Sequence, residues 1–187
     1  ESRASKSFQA IPQRHTHRGA YDADREIPEQ IPALMQREVP QSPPMRLFLF
    51  TGRTMHPLAQ LIVSATRAIV ADRQMSKDNA RWFRINQEAI EQCRDGLTLD
   101  ANVTAPLANF AAKLFPPSAE RAGRHWLRDT EKVHVGTAPL LGMIAVRDLY
   151  ARPTALCVGR LWQRLHLLLT AHDIAAQPLN QPVERVD

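Results

Sequence analysis

Glycine is scarce in this chain, with 7 in 187 residues, whereas proline occurs 14 times. Tight hairpin turns depend on residues that tolerate a positive φ, and glycine is the chief of these. A fold made of many short hairpins is therefore disfavoured. The 44% of hydrophobic and 23% of charged residues are ordinary for one globular domain with a buried core.

Long apolar runs and a cysteine framework are also missing. No apolar stretch approaches the ~18 residues that a membrane-spanning helix needs. The two cysteines, Cys93 and Cys157, lie far apart and outside any C-x-x-C pattern. We therefore expect ordinary buried thiols rather than disulfides or structural zinc. The sequence opens on Glu1 with no signal-peptide pattern, so we expect a processed or truncated chain and a cytoplasmic location.

The common catalytic motifs are absent. There is no G-x-S-x-G elbow, no phosphate-binding G-x-x-x-x-G-K-[ST] loop, no G-x-G-x-x-G turn and no H-E-x-x-H. His15 and His17 flank Thr16, but two ligands without partners do not make a zinc site. We expect no metal site, and we name no catalytic side chain. His166 and His172 are expected on a polar surface or at a helix end.

The balance of charge is basic, with 24 Lys and Arg against 19 Asp and Glu. A net charge of +5 fits a nucleic-acid partner, and it fits anionic small molecules such as phosphorylated cofactors equally well. Composition alone leaves both open.

Hydrophobic periodicity predicts a helix-rich α+β protein with few strands. Short apolar runs at 46–51 and 140–146 are the strand candidates, and helical spacing marks 57–73 and 76–93. The strongest helix signal covers 154–172, with a stripe of Val158, Leu161, Trp162, Leu165, Leu168 and Leu169.

A basic loop follows a short predicted helix near the start of the chain. Arg14 and Arg18 enclose His15, Thr16 and His17. Two guanidinium groups with a hydroxyl between them suit a phosphate monoester, because arginine offers forked, permanently charged donors. A solvated basic turn is the other interpretation of the same residues.

This loop is similar to the R-x-[ST]-x-[RK] signature near the start of FMN-dependent nitroreductase-family domains. In that family the signature holds the FMN phosphate and the ribityl chain. The resemblance therefore implies cofactor-binding roles for Arg14, His15, Thr16 and Arg18.

A second resemblance lies after the long helix. Pro178, Leu179, Asn180 and Gln181 match a Pro-(Ile/Leu)-x-x loop that in the family crosses one face of the isoalloxazine ring. Backbone amides of that loop approach the N5 atom that receives hydride. The other interpretation is an ordinary proline-bearing exit loop. In the family glycine is common at the preceding turn, where this chain has Asp173.

The middle of the chain resembles a W-x-R … D-G-[ILV] pattern, carried by Trp82, Arg84, Asp95, Gly96 and Leu97. This pattern occurs in a divergent, double-length, dormancy-associated branch of the family. The resemblance implies that the chain corresponds to a second-half segment, with an FMN site incomplete at both ends. A core tryptophan and a simple turn would explain the same residues.

The resemblance implies one nitroreductase-like domain over 1–187, with a small sheet and a long central helix. It further implies an FMN-dependent oxidoreductase that moves electrons from NAD(P)H to a nitroaromatic or quinone-like acceptor. A homodimer or fused pseudo-dimer is expected, without nucleic acid or membrane. The alternatives are an FMN-binding or sequestering protein with little turnover, and a basic nucleic-acid-binding domain.

Overall fold

A computed structural model describes residues 5–22, 24–42, 44–84, 87–98 and 118–184. A helix that apolar spacing predicts at 107–115 lies outside these residues. The chain divides into two compact units. The first unit comprises Glu1–His17, Asp22–Met55 and Pro139–Pro178, and the second comprises Arg18–Tyr21, His56–Ala138 and Leu179–Asp187. The expectation of one domain over 1–187 stays a prediction.

The described residues combine several helices with two small two-stranded sheets, which confirms the α+β class. In chain order the elements are α1 (Lys6–Gln9), α2 (Gln30–Arg37), β1 (Met45–Thr51), α3 (His56–Ala71), α4 (Arg73–Ala80), β2 (Phe83–Arg84), α5 (Gln87–Cys93), β3 (Leu97–Thr98), α6 (Ala119–Asp129), β4 (Leu140–Val146), α7 (Arg152–Thr170) and α8 (Gln181–Glu184). Short 3₁₀ turns cover Ile11–Gln13 and Gly52–Met55, and a π-helical turn covers Thr130–His134.

The sheet of the first unit is one antiparallel pair. Strand β1 runs beside β4 in the register Met45↔Val146 to Thr51↔Leu140. Met45 and Leu47 are buried and the intervening Arg46 is exposed, as expected for a strand with one covered face. Both predicted strands, 46–51 and 140–146, are confirmed.

Helix α7 supplies the main apolar face of the first unit. Leu161, Leu165 and Leu169 recur at spacings of one helical turn, and all three are buried. They belong to one hydrophobic cluster with residues of α2 and β1: Ile31, Met35, Met45 and Leu47. The long helix predicted at 154–172 is confirmed, with Pro153 in its first turn, where proline is tolerated.

The C-terminal end of α7 is closed by a Schellman motif. The amide of Ile174 donates to the Leu169 carbonyl at 2.9 Å, and that of Asp173 donates to the Thr170 carbonyl at 3.0 Å. Asp173 takes the left-handed conformation, with φ of 56°. The backbone therefore has the turn in which glycine is common, although the residue is aspartate.

The second unit is organised around α3, which packs against α6 and α8. Ile62, Thr66 and Ile69 are buried on one face of α3. The hydroxyl of Thr66 donates to the carbonyl of Ile62 at 2.8 Å, so this buried polar group is satisfied within the helix. The predicted helix over 57–73 is confirmed.

The continuous helix predicted over 76–93 is wrong. Asp72 caps α4, which begins at Arg73, by accepting hydrogen bonds from the amides of Gln74 and Met75. The helix ends at Ala80, and shortly after it the Trp82 carbonyl accepts a hydrogen bond from the amide of Leu97. The residues after α4 thus pair with a segment about fifteen residues further along the chain and do not continue the helix.

The expectation of two buried thiols is also wrong for Cys93, which is exposed, while Cys157 is partly buried. No residue of the seven-residue helix α5 is buried, so its apolar side chains form no core. Across the part of the chain that the structure describes, no helix is long and apolar enough to cross a membrane.

We expect Asp173→Gly to raise the free energy of unfolding by about 0.5–1 kcal/mol, because glycine removes the Cβ strain of a left-handed residue. Asp173→Val should lower it. Urea unfolding measures both changes. Asp24→Gly is the matched control, since Asp24 is exposed and its φ is not positive. A gain of equal size in the control would contradict this explanation.

Candidate functional site

The basic loop follows the 3₁₀ turn at Ile11–Gln13 and lies against α7. Its first arginine, Arg14, is half-buried, and Nη1 of Arg14 lies 3.4 Å from Nδ1 of His166. The Arg14 amide donates to the Ala10 carbonyl at 3.0 Å, and Ala10 is itself buried. The backbone at this arginine is therefore held in place and does not form a free basic turn.

His166 also contacts the next residue of the loop. Its Nε2 lies 3.1 Å from the carbonyl oxygen of His15. The ring of His15 is directed elsewhere, with its Nδ1 3.1 Å from the Gln13 carbonyl, and His15 is exposed. One helix side chain thus contacts both Arg14 and the backbone of its neighbour.

The same loop contacts the segment that leaves α7. The His17 amide donates to the Ala176 carbonyl at 3.1 Å, and Ala176 is buried. Thr16, between these contacts, is half-buried. Within the first unit, the basic loop and the exit segment of α7 are therefore joined, although about 160 residues separate them in sequence.

The eight predicted cofactor-binding residues divide between the two units. Arg14, His15, Thr16 and Pro178 belong to the first unit, in which the contacts above place the loop beside the exit segment. The other four belong to the second unit: Arg18, Leu179, Asn180 and Gln181. Gln181 begins α8 and is buried, whereas Asn180 is exposed.

Two glutamines in and near the exit loop carry buried amide oxygens. No hydrogen-bond donor among the described residues reaches Oε1 of Gln177 in the first unit. The same holds for Oε1 of Gln181 in the second unit. Buried polar atoms are nearly always paired, so each of these oxygens is an acceptor suited to a ligand or to water.

The importance of His166 did not emerge from the sequence, which predicted a surface or helix-end role. That prediction is wrong, since the residue is 1% exposed. Burial lowers the pKa of His166, and the positive charge of Arg14 acts in the same direction, although the hydrogen bond to the His15 carbonyl opposes them. Its spacing from Trp162 and Leu169, four and three residues away, places it on the buried face and was the available signal.

The second unit assembles the central W-x-R … D-G pattern. Strands β2 and β3 pair in parallel, with Phe83 opposite Leu97. Arg84 donates to one carboxylate oxygen of Asp95 from both Nε, at 3.0 Å, and Nη2, at 2.6 Å. The interpretation of Trp82 as a core residue is wrong, because its side chain is 58% exposed.

Gly96 is required by this arrangement for two reasons. Its φ of 78° is left-handed, and a Cβ atom on it would lie 2.3 Å from the carbonyl oxygen of Trp82. That carbonyl accepts the 2.7 Å hydrogen bond from Leu97. The pattern therefore has a structural role in joining β2 to β3.

Within the described residues, no three His, Cys, Asp or Glu side chains group together in a way that would hold a metal ion. Comparison of the chain with protein-family models, curated proteins and solved structures gave no match.

We expect Gly96→Ala to lower the free energy of unfolding by about 1–3 kcal/mol, because alanine is strained at this φ and clashes with the Trp82 carbonyl. Gly159→Ala is the matched control. It lies inside α7 with no heavy atom within 4 Å of an added Cβ, so that change should stabilise by about 0.5–1 kcal/mol. Urea unfolding of the two variants should show opposite signs, and equal signs would count against the pairing of β2 with β3.

Proposed function

We propose that this chain binds FMN as part of a nitroreductase-like oxidoreductase. The observation that carries the proposal is the joining of two segments within the first unit. The loop of Arg14, His15 and Thr16 lies against α7 through His166, and it bonds to the exit segment of α7 through Ala176. These are the segments whose motifs resemble the phosphate-side and ring-side loops of that family.

The residues of the first unit suit the chemical groups of FMN. The guanidinium of Arg14 has five N–H donors, and among the described residues its one hydrogen-bond contact is from Nη1 to His166, so the donors on Nε and Nη2 could serve a phosphate. The Thr16 hydroxyl, on a short side chain, adds one more hydrogen-bond donor to the same loop. The buried Oε1 of Gln177 offers an acceptor for a hydroxyl of the ribityl chain or an N–H of the ring.

In this proposal the protein binds and orients FMN, and FMN carries out the electron transfer. When bound, FMN supplies the hydride-accepting ring, and the acceptor is proposed to be a nitroaromatic or quinone-like molecule with NAD(P)H as donor. Arg14 would neutralise the phosphate, and Pro178 would lie towards the ring. Arg18, Leu179, Asn180 and Gln181 enter the proposal from the sequence resemblance alone, and so does a homodimer or fused pseudo-dimer.

Binding without efficient turnover is the second candidate. The contacts that support the proposal concern the binding of a cofactor, and none of the described contacts selects an electron donor. Steady-state oxidation of NADPH by the FMN-loaded protein separates the two candidates. Turnover supports the oxidoreductase, and tight FMN binding with negligible oxidation supports sequestration.

We expect the full chain to take up FMN and Arg14→Ala to weaken that binding by about ten- to a hundredfold, as loss of a hydrogen bond from a charged group implies. Quenching of flavin fluorescence during titration measures the affinity. Arg160→Ala is the matched control, because this substitution removes the same positive charge from an exposed position on α7. The control should bind like the unmodified chain.

Two results would contradict the proposal. One is a colourless protein that takes up no added FMN. The other is an equal loss of affinity in Arg14→Ala and Arg160→Ala, which would indicate general electrostatic attraction and no defined phosphate contact. Salt-dependent DNA binding by the same protein would favour the nucleic-acid alternative.

A further inference from the structure

We propose that His166 is a positioning residue that holds Arg14 in place for an anion through a neutral imidazole, and that protonation of this ring releases Arg14. The inference that the anion is the phosphate of FMN rests on the proposed function. The inference about the ring itself rests on the contacts of the first unit and is testable without any ligand.

The two contacts of His166 define its tautomer. A carbonyl oxygen only accepts hydrogen bonds, so Nε2, at 3.1 Å from the His15 carbonyl, must carry the proton. Arginine only donates, so Nδ1, at 3.4 Å from Nη1 of Arg14, must present its lone pair. Only the neutral ring with the proton on Nε2 satisfies both.

The surroundings of the ring disfavour its charged form. The titratable groups that act on it are Arg14 and His15, both from the basic loop, and neither carries negative charge. The ring of Trp162 lies beside it, with centroids 5.0 Å apart. The residues of α2 and β1 in the buried cluster of α7 are apolar: Ile31, Met35, Met45 and Leu47. The ion pair of Arg164 with Glu38, at 2.8 Å, involves a position two residues along α7 and therefore a different helix face.

Protonation would place two donors against each other. The Nδ1–H of a charged His166 would face the guanidinium of Arg14, so a hydrogen bond would be replaced by repulsion between two cations. Because the ring is 1% exposed, water cannot relieve this conflict without movement of the loop. We expect the side chain of Arg14 to move rather than the ring, because Arg14 is half-buried and the ring is fully buried.

The sign of the pH dependence follows from the lowered pKa. In the unfolded chain His166 titrates near its ordinary value of 6.5, and in the folded chain the pKa lies below that. The folded state therefore binds fewer protons between these values. Its stabilising contribution is complete above the unfolded pKa and is lost as the pH falls through the folded pKa.

Two substitutions at His166 distinguish its hydrogen-bond contacts from its packing in the core. His166→Gln keeps one donor and one acceptor at similar spacing but does not titrate, so it should hold Arg14 at every pH. His166→Leu removes both polar contacts while filling the apolar space. His56→Gln is the control, because His56 is exposed and belongs to the second unit.

The first measurement uses the protein without ligand. Imidazole ¹⁵N shifts at neutral pH should show an unprotonated Nδ1 and a protonated Nε2 for His166. The free energy of unfolding should fall from about pH 7.5 to pH 5 more steeply in the unmodified chain and in His56→Gln than in His166→Gln. A proton on Nδ1 at neutral pH, or identical pH profiles in all three proteins, would overturn the inference.

The second measurement is the affinity for FMN at the same two pH values. His166→Leu should bind about tenfold more weakly than the unmodified chain at pH 7.5. His166→Gln should bind nearly as well there and lose less affinity at pH 5, with protonation of the phosphate itself common to both proteins. Parallel losses would overturn the role of His166 in anion binding. If no protein binds FMN at either pH, the proposed function fails, and the ¹⁵N shifts and unfolding profiles still decide whether His166 holds Arg14.

Discussion

Burial of Leu161, Leu165 and Leu169 along one face of α7 is the constraint around which the first unit is built. These side chains can leave water only by packing on α2 and β1, so one long helix brings together parts of the chain that are distant in sequence. His166 extends the same face by one polar residue. Because its two ring nitrogens both find partners, the N-terminal loop is attached to this core by directional contacts and not by apolar packing alone.

The arginines of the chain differ in whether a carboxylate lies beside them. Several arginines form ion pairs within their own units, including Arg84 with Asp95 and Arg164 with Glu38. Arg124 pairs with Glu120 along α6 in the same way. Surface pairs of this kind contribute little stability, and each neutralises the charge of its arginine locally. Arg14 differs from them, since its side chain contacts an imidazole and, among the described residues, forms no ion pair with a carboxylate.

The second unit shows how a short motif can have a structural explanation independent of a ligand. Gly96 allows a left-handed turn, that turn brings the Leu97 amide to the Trp82 carbonyl, and Arg84 reaches Asp95 across the same pair of strands. The exposed side chain of Trp82 does not contribute to this arrangement. The resemblance of this pattern to a flavoprotein branch therefore adds less to the proposed function than the two segments joined on α7.

Elements with strong local signals were determined by the sequence itself. The spacing of apolar residues in α3 and α7, and the short apolar runs of β1 and β4, predict these elements to within a few residues, because burial of one face is written into their periodicity. Tertiary structure alone decided the break after Ala80 and the two hydrogen-bond contacts of the His166 ring. Both depend on partners that are remote along the chain, the Leu97 amide in one case and the loop of Arg14 and His15 in the other. Hydrogen bonds between distant segments leave no period in the sequence, and so only the folded chain shows them.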